Sequence, residues 1–284
     1  NTKCKGQAWI IVTSQQDMEA IVGDSSTFQF QDFSKIMARF AIRMPLNSAD
    51  VAEVIQRRLL SKTDTGQVTL GNLHDREENN LKTLFGFTDG SIQLKNFRDR
   101  DHFISSYPFP PYQYDLFQMA ITALSQHNAF EGKHRSVGER SMLGVFQEVA
   151  KKLADQPVGE LATFDLMFEG IRSALKSAVQ QSIQIAERNL DDPFAVSVLK
   201  ALFLVKYVKE FKPTVRNIVV LLLSEFDADQ TTQRRKIEEA LSLLERNTLI
   251  QRNGEVYEFL TNEEKDVEEE IKALDDAAAA EEAE

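Results

Sequence analysis

The dipeptide Asp192-Pro193 constrains the fold of this chain more than any other feature, because it opens a helix and divides two kinds of sequence. An aspartate at a helix cap accepts from the first free amides, and a proline behind it gives up an N–H that would have had no partner. Downstream, Phe194–Val208, Thr214–Phe226 and Thr231–Arg246 each carry apolar residues at helical spacing. Leu249–Leu260, LIQRNGEVYEFL, then alternates as a hairpin with an Asn-Gly turn at Asn253-Gly254. Upstream, Tyr107-Pro-Phe-Pro-Pro111 stiffens the chain and keeps it out of a helix until the last proline. Asp115–Leu124 and Ser141–Leu153 follow with helical periodicity, separated by the polar loop EGKHRSVGER. Leu161–Leu190 predicts a further long helix, with a break near Gly170.

Three helices and a hairpin in that order describe a winged helix-turn-helix. The region before Tyr107 is of another kind. Trp9–Val12 is a short, β-rich apolar run of the sort buried on both faces of a sheet, and it stops at Thr13-Ser14-Gln15, where such strands carry functional groups. Asp50, Val51, Glu53, Val54, Ile55, Leu59 and Leu60 give a helical face with acids in its first turn and Asn47 or Ser48 as cap. From Ser61 to Asn80 the pattern dissolves into Gly, Asn, Asp and Thr, which predicts a loop or a variable insertion. The expected organisation is the C-terminal part of an α/β core over 1–62, an insertion or linker over 63–106, a helical subdomain over 107–190, a winged helix over 191–262 and an acidic tail over 263–284. The expected class is mainly α, with an α+β content.

Charge narrows the partners less than its total suggests. The net charge is −11, but residues 263–284 hold 11 acids and two lysines, and the remainder carries 33 acids against 31 bases. An anionic terminal run is a solvated tail or an exposed helix as a rule. No apolar run reaches the ~20 residues of a membrane helix, and the N-terminal residues lack a signal-peptide layout, so a cytoplasmic location and no membrane partner are expected. The lone Cys4 excludes an internal disulfide, and His74, His102, His127 and His134 form no ligand pair, so no structural metal is expected.

A phosphate loop needs two glycines followed by Lys and Ser or Thr, for amides, charge neutralisation and magnesium. Gly66-Gln-Val-Thr-Leu-Gly71-Asn72-Leu73 has the glycines and neither of the others. Val219–Leu223 before Ser224-Glu225 looks like a magnesium-binding strand but lies in helical context. The chain alone is therefore expected neither to bind ATP tightly nor to hydrolyse it. In the winged helix, Ile237, Ala240, Leu241 and Leu244 form the inward stripe of the third helix, and Arg234, Arg235 and Lys236 at its start with Arg252 at the wing turn are candidates for duplex phosphates. Glu238, Glu239, Glu245 and Glu255 oppose that use, so DNA binding and protein docking both stay open. Tyr107, Phe109, Tyr112, Tyr114 and Phe117 could stack on bases, but without a lysine or arginine among them they fit better as a staple between linker and core.

Taken in order, these landmarks resemble the later half of an AAA+ ATPase. The resemblance implies that Thr13 and Ser14, beside Gln15, are the strand-end sensor. It makes Arg39 of Ala38-Arg39-Phe40 the arginine finger that reaches a neighbour's γ-phosphate, with Arg43 as second candidate. It makes Arg140 of Gly138-Glu139-Arg140-Ser141 the sensor of the helical lid. The strings DFSKIMARF, YPFPPYQYDLFQ, GERSMLGVFQEVAKKL, ATFDLMFEGI and YEFLTNEEKDVEEEI are similar to the large P-loop ATPase of BREX phage-defence systems, the BrxC or PglY type. That similarity implies ATP and Mg²⁺ bound by a phosphate loop upstream in a longer parent, assembly with other subunits of the same ATPase, and contact with other BREX components or double-stranded DNA. Two other classes fit the same order: a winged-helix DNA-binding regulator with a helical dimerisation domain, and a replication-initiator ATPase of the Orc type.

Overall fold

Several helices start where a short polar side chain takes up free amides in the computed structural model, which describes residues 48–88, 92–131, 139–268 and 270–271. The described residues are mainly helical, with one two-stranded sheet. Helix α1 (Ser48–Leu59) forms as its periodicity predicts, burying Val51 and Ile55 and ending on Arg57 and Arg58, which suit the negative end of its dipole.

The loop expected over Ser61–Asn80 is instead most of a 21-residue helix, α2 (Asp64–Leu84). Thr63 caps it, its hydroxyl accepting from Gly66 N at 3.2 Å. Leu70, Leu73, Leu81 and Leu84 are buried at helical spacing. The stripe is interrupted in sequence by Glu77, which is buried too because its carboxylate accepts from Arg76 Nε and Asn80 Nδ2, each at 2.8 Å. Burial against α3 (Arg100–Ser106) thus outweighs the weak intrinsic helix preference of Gly, Asn and Asp. Both Gly66 and Gly71 lie inside α2. A Cβ on Gly71 would stand 1.8 Å from Arg100 Nη2, so glycine there admits the guanidinium that pairs with Asp75 at 3.3 Å.

Helices α4 (Tyr112–Gln126) and α5 (Glu139–Lys152) match the expected pair, α4 following directly on the proline run. Leu161–Leu190 is not one long helix. It is a 3₁₀ turn at Phe164–Leu166, α6 (Met167–Ile171), a second 3₁₀ turn at Arg172–Ala174 and α7 (Ser177–Asn189). The break comes after Gly170 because long-range pairing takes the backbone: Glu131 N donates to Ala174 O at 3.0 Å and Lys176 N to Ala129 O at 2.9 Å, around a bridge between Phe130 and Leu175. Gly170 stays helical and lets α6 approach α5, since a Cβ would lie 2.7 Å from both Val145 methyls.

Asp192 caps α8 (Pro193–Val205) as its sequence requires, its Oδ1 accepting from Phe194 N at 2.9 Å and Ala195 N at 3.2 Å. Its residues Ala195, Val196, Val198, Leu199, Ala201, Leu202, Phe203, Leu204 and Val205 are all buried, while Pro193, Ser197 and Lys200 keep one narrow face partly open, which marks a helix enclosed on most of its circumference. It packs on the Phe164–Leu166 turn, α4 and α7, and also on α9 (Val215–Leu221), α10 (Gln230–Arg246) and β2 (Val256–Phe259). The stretches 107–190 and 191–262 therefore share one core through α8, within a single compact unit that starts at Ser48. Buried Asn217 fastens the chain before α3 to this core, accepting from Thr88 N at 3.0 Å and donating to Thr88 O and Lys212 O, both at 2.8 Å.

Helix α9 is shorter than Thr214–Phe226. Thr214 caps it, and beyond its end Ser224 O accepts from Leu161 N at 2.7 Å, drawing the backbone toward the helical region. The hairpin pairs β1 (Ile250–Asn253) with β2, Ile250 opposite Phe259 and Asn253 opposite Val256. Asn253 is thus the last strand residue, and the turn is Gly254-Glu255 rather than Asn253-Gly254. Gly254 takes φ +63° in the first loop position, the place that a type II′ turn gives to glycine. The start of the acidic run is part of the fold. Thr261 and Glu264 form a reciprocal capping box (Thr261 N to Glu264 Oε2, 2.7 Å; Glu264 N to Thr261 Oγ1, 3.3 Å) that opens a helix at 262. Lys206 Nζ, on the residue after α8, holds Glu264 at 2.7 Å and Phe259 O at 2.6 Å.

Candidate functional site

The four basic residues singled out in the sequence lie on α10 and the hairpin, Arg234, Arg235 and Lys236 near the start of the helix and Arg252 on β1. Asp229 caps α10, accepting from Thr232 N at 3.0 Å, and bonds from Thr232 hold its carboxyl below the usual range. Ile237, Ala240, Leu241 and Leu244 are buried, so the predicted inward stripe is the one observed. Arg234, Arg235 and Lys236 consequently stand on the exposed side. Arg234 Nε lies 2.9 Å from Glu238, and Arg235 Nε lies 3.8 Å from Glu239. Such i, i+4 pairs in solvent contribute about 0.3–0.5 kcal/mol each, little enough to be displaced by a better partner. The exposed face of α10 continues through Ser242, Glu245 and Arg246, a surface of mixed sign with three acids, Glu238, Glu239 and Glu245, against four bases, Arg234, Arg235, Lys236 and Arg246.

On the hairpin, Arg252 is exposed. Its Nε donates to Gly254 O at 2.9 Å, and the guanidinium lies 5.7 Å from the centre of the Tyr257 ring, which holds it along the strand. The other edge of β2 is occupied: Thr214 bridges Val256, and Tyr257 N donates to Pro213 O at 3.0 Å. The segment before α9 thereby acts as a third, minimal strand. Lys209, Lys212 and Arg216 flank it and are exposed, three cations that the sequence reading did not single out.

The aromatic cluster is interior. Phe109, Tyr112, Tyr114 and Phe117 are buried; Phe109 and Tyr114 stack or tilt on Phe146 of α5 at 4.8 and 4.9 Å. Tyr107 is half-buried, and its hydroxyl accepts from Gly159 N at 2.9 Å. None of these rings is free for a base. The Gly66 to Gly71 string is helical, which removes the loop of amides that a phosphate would need, and Val219–Leu221 is helical as well. Arg140 falls in the first turn of α5, where Gly-Glu-Arg-Ser places it, while its side chain and the loop at 132–138 lie outside the described residues. Thr13, Ser14, Gln15, Arg39 and Arg43 lie outside them too. Among the described residues, no group of three or more His, Cys, Asp or Glu is placed to hold a metal, and no helix is long and apolar enough to cross a membrane.

A second charged centre escaped the sequence reading because its members come from four elements. Arg172 binds Glu187 of α7 through two bonds of 3.0 and 2.5 Å and reaches Glu169 of α6 at 3.2 Å. Lys200 of α8 closes the ring, 2.7 Å from Glu169 and 2.8 Å from Glu187. The only local sequence sign is Glu169 three residues before Arg172. The bonds from Arg172, with those from Lys200, bring the Glu187 carboxyl down to about 2 from 4.5. A depressed carboxyl pKa gives stability that is complete above the unfolded value and is lost as pH falls through the folded one. Urea stability of the wild type is accordingly expected to exceed that of Glu187→Gln at pH 7, and the gap to close between pH 4.5 and about 2. A gap of constant size across that range would show that this network does not titrate with folding.

No protein-family model matches the chain, and no solved structure matches it.

Proposed function

We propose that residues 191–262 are a winged-helix docking module joined to the helical lid of an AAA+-like ATPase of the BREX type. The observation that carries the reading is the order of α8, α9, α10 and a hairpin whose second strand is bridged at Thr214. That bridge supplies the third strand which a wing of this kind packs against. In this reading Thr13 and Ser14 sense nucleotide, Arg39 completes the site of a neighbouring subunit, and Arg140 reports from the lid. ATP and Mg²⁺ are held by a phosphate loop that these 284 residues do not contain.

The exposed face of α10 favours a protein partner over duplex DNA. A helix entering the major groove would bring Glu238, Glu239 and Glu245 toward the phosphates together with Arg234, Arg235, Lys236 and Arg246, and the three acids would offset much of the attraction of the four bases. DNA binding keeps one argument of its own: Lys236 is exposed and forms no ion pair among the described residues, and Arg252 sits beside the wing turn. The two are separated by duplex mobility at low salt. Protein docking predicts no shift at micromolar chain. A shift that weakens steeply with salt and is lost in Arg234→Ala/Arg235→Ala/Lys236→Ala would make the module a DNA reader instead.

A further inference from the structure

The tip of the hairpin holds the one Asn-Gly dipeptide in the chain, Asn253-Gly254. Both residues are exposed, and a Cβ built on Gly254 would meet nothing within 4 Å, so the turn stands open to water. Neither the Asn253 side-chain amide nor the Gly254 N–H has a hydrogen-bond partner among the described residues. The two groups are one peptide apart, and the Gly254 nitrogen reaches Asn253 Cγ by closing a five-membered ring. Ring closure turns the main chain of Asn253 out of its extended form. That motion is confined, because Asn253 and Val256 are the last pair of the ladder, while Ile250 and Phe259, both buried, hold its other end. The end of an element opens at far less cost than a core. Glycine favours the step twice over: it has no Cβ to crowd the nitrogen, and it takes φ +63° here without strain.

We propose that Asn253 is a site of spontaneous chemical modification, losing its side-chain amide through a cyclic imide with Gly254. The Gly254 nitrogen gives its proton to hydroxide and attacks Asn253 Cγ. The new C–N bond forms as the Cγ–Nδ2 bond breaks, and Nδ2 takes up a proton and leaves as ammonia. Water then adds to one of the two imide carbonyls. Addition at Cγ gives aspartate, and addition at the main-chain carbonyl gives isoaspartate, whose backbone runs through Cβ and Cγ. Nothing is oxidised or reduced, and water is the only co-reactant. Both products place a carboxylate at 253. The turn Arg252–Glu255 thereby goes from one cation and one anion to a net charge of −1, beside the Arg252 guanidinium, whose Nε donates to Gly254 O at 2.9 Å. Isoaspartate also lengthens the main chain by one carbon, so the pairing of Asn253 with Val256 cannot re-form. The hairpin tip therefore ages toward negative charge. The chemistry needs only the turn and does not rest on the ATPase or docking readings.

The test holds the 284-residue chain at 37 °C and pH 8 for four weeks, beside a zero-time sample, and digests both with trypsin. Cleavage after Arg252 and Lys265 releases Asn253–Lys265, which also contains Asn262 as an internal reference. Asn262 is exposed too, but it opens a helix and precedes Glu263 rather than glycine. A mass gain of about one unit at Asn253 is expected, about tenfold or more faster than at Asn262, with aspartyl and isoaspartyl forms separated by chromatography. The rate should rise with pH, as an amide that must lose a proton requires, and the modified chain should be retained longer on an anion exchanger while still folded. Asn253→Gln keeps the amide and the charge but would need a six-membered ring, and it should remove the signal. Three results would overturn the proposal: Asn253 intact in the folded chain while it converts in urea, Asn253 and Asn262 converting at equal rates, or a signal of undiminished size in Asn253→Gln.

Discussion

Phe203→Ala is expected to destabilise the described unit by about 3–5 kcal/mol, from lost transfer energy and the cavity left behind. That is a large share of the roughly 5–15 kcal/mol by which domains are stable. Phe203 is 2% exposed on α8, and its ring meets Phe168 of the helical region at 5.6 Å and Phe259 of the hairpin at 5.3 Å, both edge to face. One side chain thus spans the two stretches that the sequence divides at Asp192. Since α8 belongs to both cores, the loss should be felt in both. Hydrogen exchange gives the readout: amides of α4 and of α10 should lose protection by the same amount. Loss confined to α10 and the hairpin, with α4 unchanged, would mean two independent cores and would contradict the packing of α8 against both stretches.

Much of this was legible wherever a local rule decides the structure. Asp192-Pro193 caps a helix through its own side chain, and the Ile237, Ala240, Leu241 and Leu244 stripe is buried because a three-helix arrangement has one place for an apolar face. The aromatic run after Tyr107 lacked cations, and it is core. What was not legible depends on partners far along the chain. Helix α2 hides behind Gly66, Gly71 and a buried Glu77 whose neutralising bonds come from Arg76 and Asn80. The break at Arg172–Lys176 is caused by pairing with Ala129–Glu131, some 45 residues away in sequence, which no helical periodicity reports. The turn moved by one residue because strand pairing, not the Asn-Gly dipeptide, sets which residues are left for the loop. Glu169, Arg172, Glu187 and Lys200 look like ordinary surface charges until four helical elements bring them together.

The largest functional effect is expected at Arg39. An arginine finger makes no contribution to holding ATP in its own subunit. It stabilises the charge that spreads over the transferring phosphoryl oxygens in a neighbour, and fingers of this type are worth about 10³-fold or more in turnover. On the proposed ATPase reading, Arg39→Ala should therefore abolish hydrolysis in the assembled protein, Arg43→Ala should do less, and neither should release nucleotide. A surface arginine in an ion pair would leave both quantities unchanged. The decisive measurement is ATP turnover by the assembly carrying Arg39→Ala, with ATP binding followed in the same sample. Lost turnover with binding retained is the predicted result; turnover at the wild-type rate would contradict the claim that this chain completes a nucleotide site in trans.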